Sequence, residues 1–240
     1  MKYKEIRNKY QNHDYLNVVF VDIYATTLSP LLTKLFLKLN VIPNYVTILM
    51  IISGIIGAIL FSMPNIVCKI IGGVFIHLWY ILDCSDGEVA RITKRFSKFG
   101  KEIDYTAHII NHPLFNIAFA LSLLNENRYN TGFILILFMI YISTDLMSRN
   151  MLAFDVIFQL KVNNSEMNTG NNKLLKRIVI YIISSLTLYP NFALIFPVIY
   201  LIDYRFNSTL CLFYLIVVTT LNIIFVSRSC FKWIKQIKDL

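Results

Sequence analysis

Six stretches of the chain carry no Asp, Glu, Lys or Arg: residues 46–63, 70–82, 105–124, 131–144, 178–202 and 206–227. A helix needs roughly 20 apolar residues to cross the hydrocarbon of a bilayer. In lipid, backbone N–H and C=O groups must be satisfied within the segment, and helices do this unaided. Four of the runs reach about that length. Residues 70–82 and 131–144 reach it only if their helices continue past Asp83 and Asp145. A carboxylate at membrane depth is costly and by default marks a functional site. The chain is 56% hydrophobic and only 15% charged, whereas soluble domains are about 25% charged. This argues against a soluble globular protein and excludes a disordered one. The expected fold is an all-α integral membrane bundle of six transmembrane helices.

The charges orient that bundle. With both termini in the cytoplasm, all but three of the 23 Lys and Arg lie on the inner side, the exceptions being Lys69, Arg128 and Arg205. Such asymmetry is the positive-inside pattern. The net charge of +9 is thereby assigned to loops facing anionic lipid rather than to nucleic acid. Residues 1–14 are polar, with no apolar core of a cleavable signal peptide. Ser29-Pro30 resembles a helix start, a cap followed by proline at the first position. Leu31, Leu32, Leu35, Phe36 and Leu39 then recur at helical spacing between Lys34 and Lys38, which reads as an N-terminal amphipathic helix lying on the inner leaflet. The organisation is residues 1–45, a cytoplasmic segment with that interfacial helix; 46–228, a six-helix membrane domain; and 229–240, a basic tail. Cys68, Cys84, Cys211 and Cys230 form no regular framework and read as structural thiols. The abundance of Ile, Asn and Lys points to a bacterial or archaeal cell membrane.

The second run leads into Asp83-Cys84-Ser85-Asp86-Gly87-Glu88-Val89-Ala90-Arg91, followed by Ser97, Gly100, Asp104 and His108. On a helix Asp83 and Asp86 are i and i+3 and share a face. Two carboxylates there repel unless a cation sits between them, and hard oxygen ligands suit Mg²⁺ or Mn²⁺. Asp104, at the start of the third run, can close the site from the opposing helix. Gly87 lets a ligand touch backbone, Ala90 keeps the next turn small, and Arg91 offers a planar fork to phosphate. Structural ion pairs of the acids with Arg91 or Lys98 are the competing explanation.

These residues resemble the signature of the CDP-alcohol phosphotransferase (CDP-alcohol phosphatidyltransferase) family, D-x2-D-G-x2-A-R-x8-G-x3-D-x3-D, from Asp83 to Asp104 and including the commonly seen Ser97. Pro43-Asn44-Tyr45-Val46-Thr47 also resembles a family element. The resemblance implies a homodimer with a polar cavity open to the cytoplasm. It implies transfer of a phosphoalcohol group from a CDP-alcohol donor to a hydroxyl acceptor, releasing CMP. In it Asp83, Asp86 and Asp104 bind metal, and Asn44, Thr47, Asp83, Gly87, Ala90, Arg91, Ser97 and Gly100 contact nucleotide or phosphate. Asp104, Arg91 and His108 stand at its catalytic positions. Acceptors in this chemistry include lipids, alcohol phosphates, polyprenols and glycans.

One position departs: His108 stands where the family carries its last aspartate, a metal ligand and the base for the acceptor hydroxyl. Imidazole can do either job, although it is a weaker ligand for hard cations. A chain altered in this way could instead bind nucleotide without turnover, and intramembrane carboxylates also occur in transporters. His112 gives H-x3-H spacing, which invites zinc but lacks a third nitrogen or sulfur ligand; contact with another helix is the simpler expectation. His77 reads as a satisfied core group, and Asp145 and Arg149 as an i, i+4 pair. Asn44 and Thr47 read equally as caps of the first span. Lys173, Lys176 and Arg177 are candidates for an acceptor's anion, against plain lipid-facing charge.

Overall fold

A computed structural model of the chain describes residues 2–11, 19–157 and 189–238. Among the described residues every regular element is a helix: α1 (Tyr3–Tyr10), α2 (Val19–Lys38), α3 (Pro43–Ser62), α4 (Ile66–Thr93), α5 (Gly100–Leu124), α6 (Thr131–Ile157), α7 (Asn191–Phe206) and α8 (Leu210–Lys238). Five are long and apolar enough to cross a membrane, namely α3, α4, Glu102–Leu124 of α5, Thr131–Met151 of α6 and Leu210–Phe231 of α8. The chain is an integral membrane protein. The expected fifth span, 178–202, lies partly outside the described residues; its C-terminal part is in the 16-residue α7. The two short runs do continue past their acids. α4 extends through Asp83 to Thr93, and α6 extends through Asp145 to Ile157.

Small residues decide how α3 and α4 meet. A Cβ on Gly72 would stand 2.5 Å from the Phe61 backbone nitrogen, and one on Gly57 would stand 3.0 Å from that of Ile76. Side chains there would wedge the helices apart, so glycine permits backbone contact. Pro43 opens α3 at its first turn, and Asn65 caps α4 by accepting from the Val67 N–H at 2.8 Å. Ile42, not Asn44 or Thr47, is the N-cap residue of α3. An aromatic layer of Phe61, Phe119, Phe192, Phe196 and Tyr200 fills the bundle. Of the four thiols only Cys211 is fully buried; Cys68, Cys84 and Cys230 are half-buried.

The helix expected to begin at Ser29-Pro30 starts earlier. Pro30 lies inside α2. Proline there lacks the N–H that would bond the Thr26 carbonyl four residues back. Gln11 supplies the missing donor, its Nε2 reaching Thr26 O at 2.6 Å. Ser29 is not a cap either: buried, it donates to Glu88 Oε1 at 2.5 Å. The leucine stripe divides, with Leu31, Leu35 and Leu39 exposed and Phe36 buried against the bundle.

Candidate metal and nucleotide site

α4 and α5 each bring acids to the same end of the bundle. One ligand atom from each of Asp83, Asp104 and His108 lies within 4.8 Å of the others. His108 Nε2 stands 3.4 Å from Asp83 Oδ1 and 3.6 Å from Asp104 Oδ1. Neither Arg91 nor Lys98 pairs with these acids among the described residues, so the ion-pair explanation fails there. Asp104 Oδ1 is buried without a hydrogen-bond partner. An orphaned carboxylate oxygen aimed into a cluster of acids suits a hard divalent cation. The cluster is a candidate metal site.

Asp86 is not in that triad. Its Oδ2 accepts from Thr47 Oγ1 at 2.7 Å, with Asp83 and Asp104 as charged neighbours. Thr47, almost fully buried on α3, therefore holds a carboxylate, which a reading of α3 alone did not reveal. Asn44 lies one turn earlier, half-buried. Arg91 is exposed, and its Nε donates to the Tyr10 carbonyl at the end of α1. A Cβ on Gly87 would meet the Arg91 guanidinium at 3.0 Å, so this glycine lets the arginine lie across the helix. Ala90 is half-buried one turn on. Ser97 is exposed; its carbonyl accepts from the Gly100 N–H at 3.2 Å, turning the chain into α5. A Cβ on Gly100 would meet Ser97 Oγ at 3.0 Å. Lys173, Lys176 and Arg177 lie outside the described residues.

The contacts of two residues, Glu88 and Trp79, escaped the reading by motif. Glu88, in the middle of the motif and 1% exposed, turns away from Asp83. It accepts from Gln11 at 2.8 Å, Ser29 at 2.5 Å and Thr33 at 2.6 Å, tying α2 and the segment after α1 to α4. Trp79, fully buried one turn before Asp83, sets its ring edge-on to His108 and His112 at 5.7 and 5.6 Å. His112 reaches α6, where Arg149 donates to its Nδ1, as expected of a histidine bonded to another helix. Arg149 also pairs with Asp145 at 2.5 Å, the expected i, i+4 contact. His77 is satisfied by the Tyr24 hydroxyl at 2.7 Å.

Comparison with known proteins agrees with this geometry. The family described as CDP-alcohol phosphatidyltransferase matches residues 40–222, which span α3 to the N-terminal part of α8 and contain every described acid of the site. No curated protein matches the chain. The chain belongs to the CDP-alcohol phosphatidyltransferase family, transferases of phosphate-containing groups.

Proposed function

We propose that the protein transfers a phosphoalcohol group from a CDP-alcohol to an acceptor hydroxyl and releases CMP, with Mg²⁺ or Mn²⁺ as cofactor. The observation that carries this is the convergence of Asp83 and Asp104 from two helices, with an unpartnered carboxylate oxygen between them. Asp83, Asp86 and Asp104 would hold the metal, which when bound neutralises diphosphate charge and stabilises the departing CMP. Thr47 orients Asp86. Arg91 clamps a phosphate once it leaves the Tyr10 carbonyl. Gly87 and Gly100 keep the approach to backbone open for the nucleotide, with Asn44, Ala90 and Ser97 along its edge. The chemistry is positioning plus charge neutralisation, and His108 faces both acids where the acceptor hydroxyl must lose its proton.

Six spans with both termini cytoplasmic place the site at the inner surface of a bacterial or archaeal cell membrane. The exposed Leu31, Leu35 and Leu39 of α2 suit a helix resting on the inner leaflet. The functional unit is a homodimer. Lys173, Lys176 and Arg177 receive an anionic group of the acceptor, whether lipid, alcohol phosphate, polyprenol or glycan.

The test uses the full chain in lipid nanodiscs. CDP-alcohols are screened by thermal shift with Mn²⁺, and hits are assayed for CMP release against candidate acceptors. Metal-dependent CMP release supports the reading. CDP-ligand binding without release identifies a non-catalytic member, and substrate transport without nucleotide identifies a transporter.

A further inference from the structure

Two contacts behind His108 decide which of its ring nitrogens carries hydrogen. Arg149 on α6 directs a guanidinium N–H at Nδ1 of His112. A guanidinium has donors only, so this Nδ1 must accept. A neutral imidazole has one donor and one acceptor nitrogen, and the hydrogen of His112 is therefore on Nε2. That nitrogen lies 3.3 Å from Nδ1 of His108 and donates to it. The Nδ1 of His108 thus accepts, which places the hydrogen of His108 on Nε2. This Nε2 is the atom that faces Asp83 Oδ1 at 3.4 Å and Asp104 Oδ1 at 3.6 Å.

The surroundings hold each ring in this sense. His112 is 7% exposed and lies on the Tyr189 ring, centroids 4.0 Å apart and planes 30° apart. The Tyr189 hydroxyl is fixed by donating to Asn116 Oδ1 at 2.6 Å. Trp79 meets both imidazoles edge-on. Arg149 is aimed by Asp145 on one side and rests over the Tyr189 ring, 4.6 Å from its centroid. Reversing the chain of hydrogen bonds would set a His112 Nδ1–H against a guanidinium N–H.

We infer that Arg149, acting through His112, holds His108 as an Nε2–H donor to Asp83. His108 then orients the Asp83 carboxylate, and this nitrogen neither ligates the metal nor takes the acceptor's proton. Hydrogen-bonded partners behind a ligand commonly fix its orientation in this way. Arg149 and His112 are positioning residues. The role assigned to His108 rests on the transfer reading; the placement of its hydrogen does not.

The experiment separates the two. The full chain, labelled with ¹⁵N-histidine in nanodiscs, is examined by long-range ¹H–¹⁵N correlation, and signals are assigned with His108→Gln and His112→Phe. The expected result is hydrogen on Nε2 of both His108 and His112, unchanged on adding Mg²⁺ alone. In Arg149→Met the His108 hydrogen should distribute between both nitrogens. Three results would overturn the inference: a neutral His108 carrying hydrogen on Nδ1 or a doubly protonated ring, loss of the Nε2 hydrogen on adding Mg²⁺, or an unchanged pattern in Arg149→Met. In the CMP assay His108→Gln, which keeps an N–H donor but has no basic nitrogen, should stay within about tenfold of wild type, with His108→Leu well below it. Equal loss in both variants would show that the basic nitrogen itself is needed. If the wild type releases no CMP while the spectra are as expected, the transfer reading fails and the hydrogen placement stands.

Discussion

The two ends of the bundle both gather charged side chains, and they balance them differently. At the end where α5 meets α6, and α7 meets α8, acids and bases match. Arg128 pairs with Glu126 and lies 3.7 Å from Asp203. Asp203, 1% exposed, accepts from the Ser208 hydroxyl and the Cys211 N–H, both at 3.0 Å. Lys69, also 1% exposed, donates to the Ser122 carbonyl at 3.2 Å and lies 4.5 Å over the Tyr200 ring. At the other end Asp83, Asp86 and Asp104 share one imidazole and one hydroxyl among the described residues. Matched charges lock helices together. Acids left unmatched suit a cation from outside, which is the physical difference between a staple and a binding site.

Five variants test that contrast. The largest effect is expected from Asp86→Asn, which should abolish metal-dependent CMP release while leaving the melting temperature without metal unchanged or higher, because it relieves repulsion among the acids. Substantial release would remove Asp86 from the metal site. Next, Asp203→Leu removes the acceptor of the Ser208 hydroxyl and the buried Cys211 N–H; leaving a buried donor unsatisfied costs about 1–3 kcal/mol. A fall of several degrees in Tm should follow, with CMP release per folded molecule unchanged. A loss of activity larger than the loss of folded protein would mean the matched end also serves chemistry. Smaller again, His108→Ala should slow release at least tenfold, because the Asp83 carboxylate loses the N–H that orients it (about 10–100-fold for such partners). His108→Asp sharpens this: faster release than wild type would mark the histidine as a degenerate aspartate. The smallest effect is Glu88→Gln, which weakens bonds from Gln11, Ser29 and Thr33. About 1 kcal/mol of stability should be lost, read as a lower midpoint in chemical denaturation, with the midpoint for Mn²⁺ activation unmoved.

The legibility of the site followed from its geometry. Asp83, Asp86, Gly87 and Arg91 lie within nine consecutive residues of one helix, where spacing converts directly into direction. Asp104 and His108 sit one turn apart on the next helix, so only the meeting of two helices remained to be seen. The membrane character was legible for the same reason: absence of charge over a span is a local property. The start of α2 was not. Ser29-Pro30 carries a valid start signal, but its reading depends on whether the Thr26 carbonyl finds another donor, and Gln11 is distant in sequence. Glu88 was visible as a residue pointing away from Asp83, yet its three partners lie on other elements. The Arg149–His112 contact joins helices 37 residues apart in sequence and leaves no periodic trace.

By itself, then, the sequence determined that the chain crosses a membrane as helices and that acids of one motif recur on two of them. Both follow from short-range facts, the transfer of apolar side chains into lipid and the 100° step of a helix. Tertiary structure decided which acids converge, that Thr47 holds Asp86, that Glu88 serves as a tie and that His108 is wired to Arg149. Those outcomes depend on the directions in which buried donors and acceptors face each other across helices, and a buried polar group is stable only where such a partner is found.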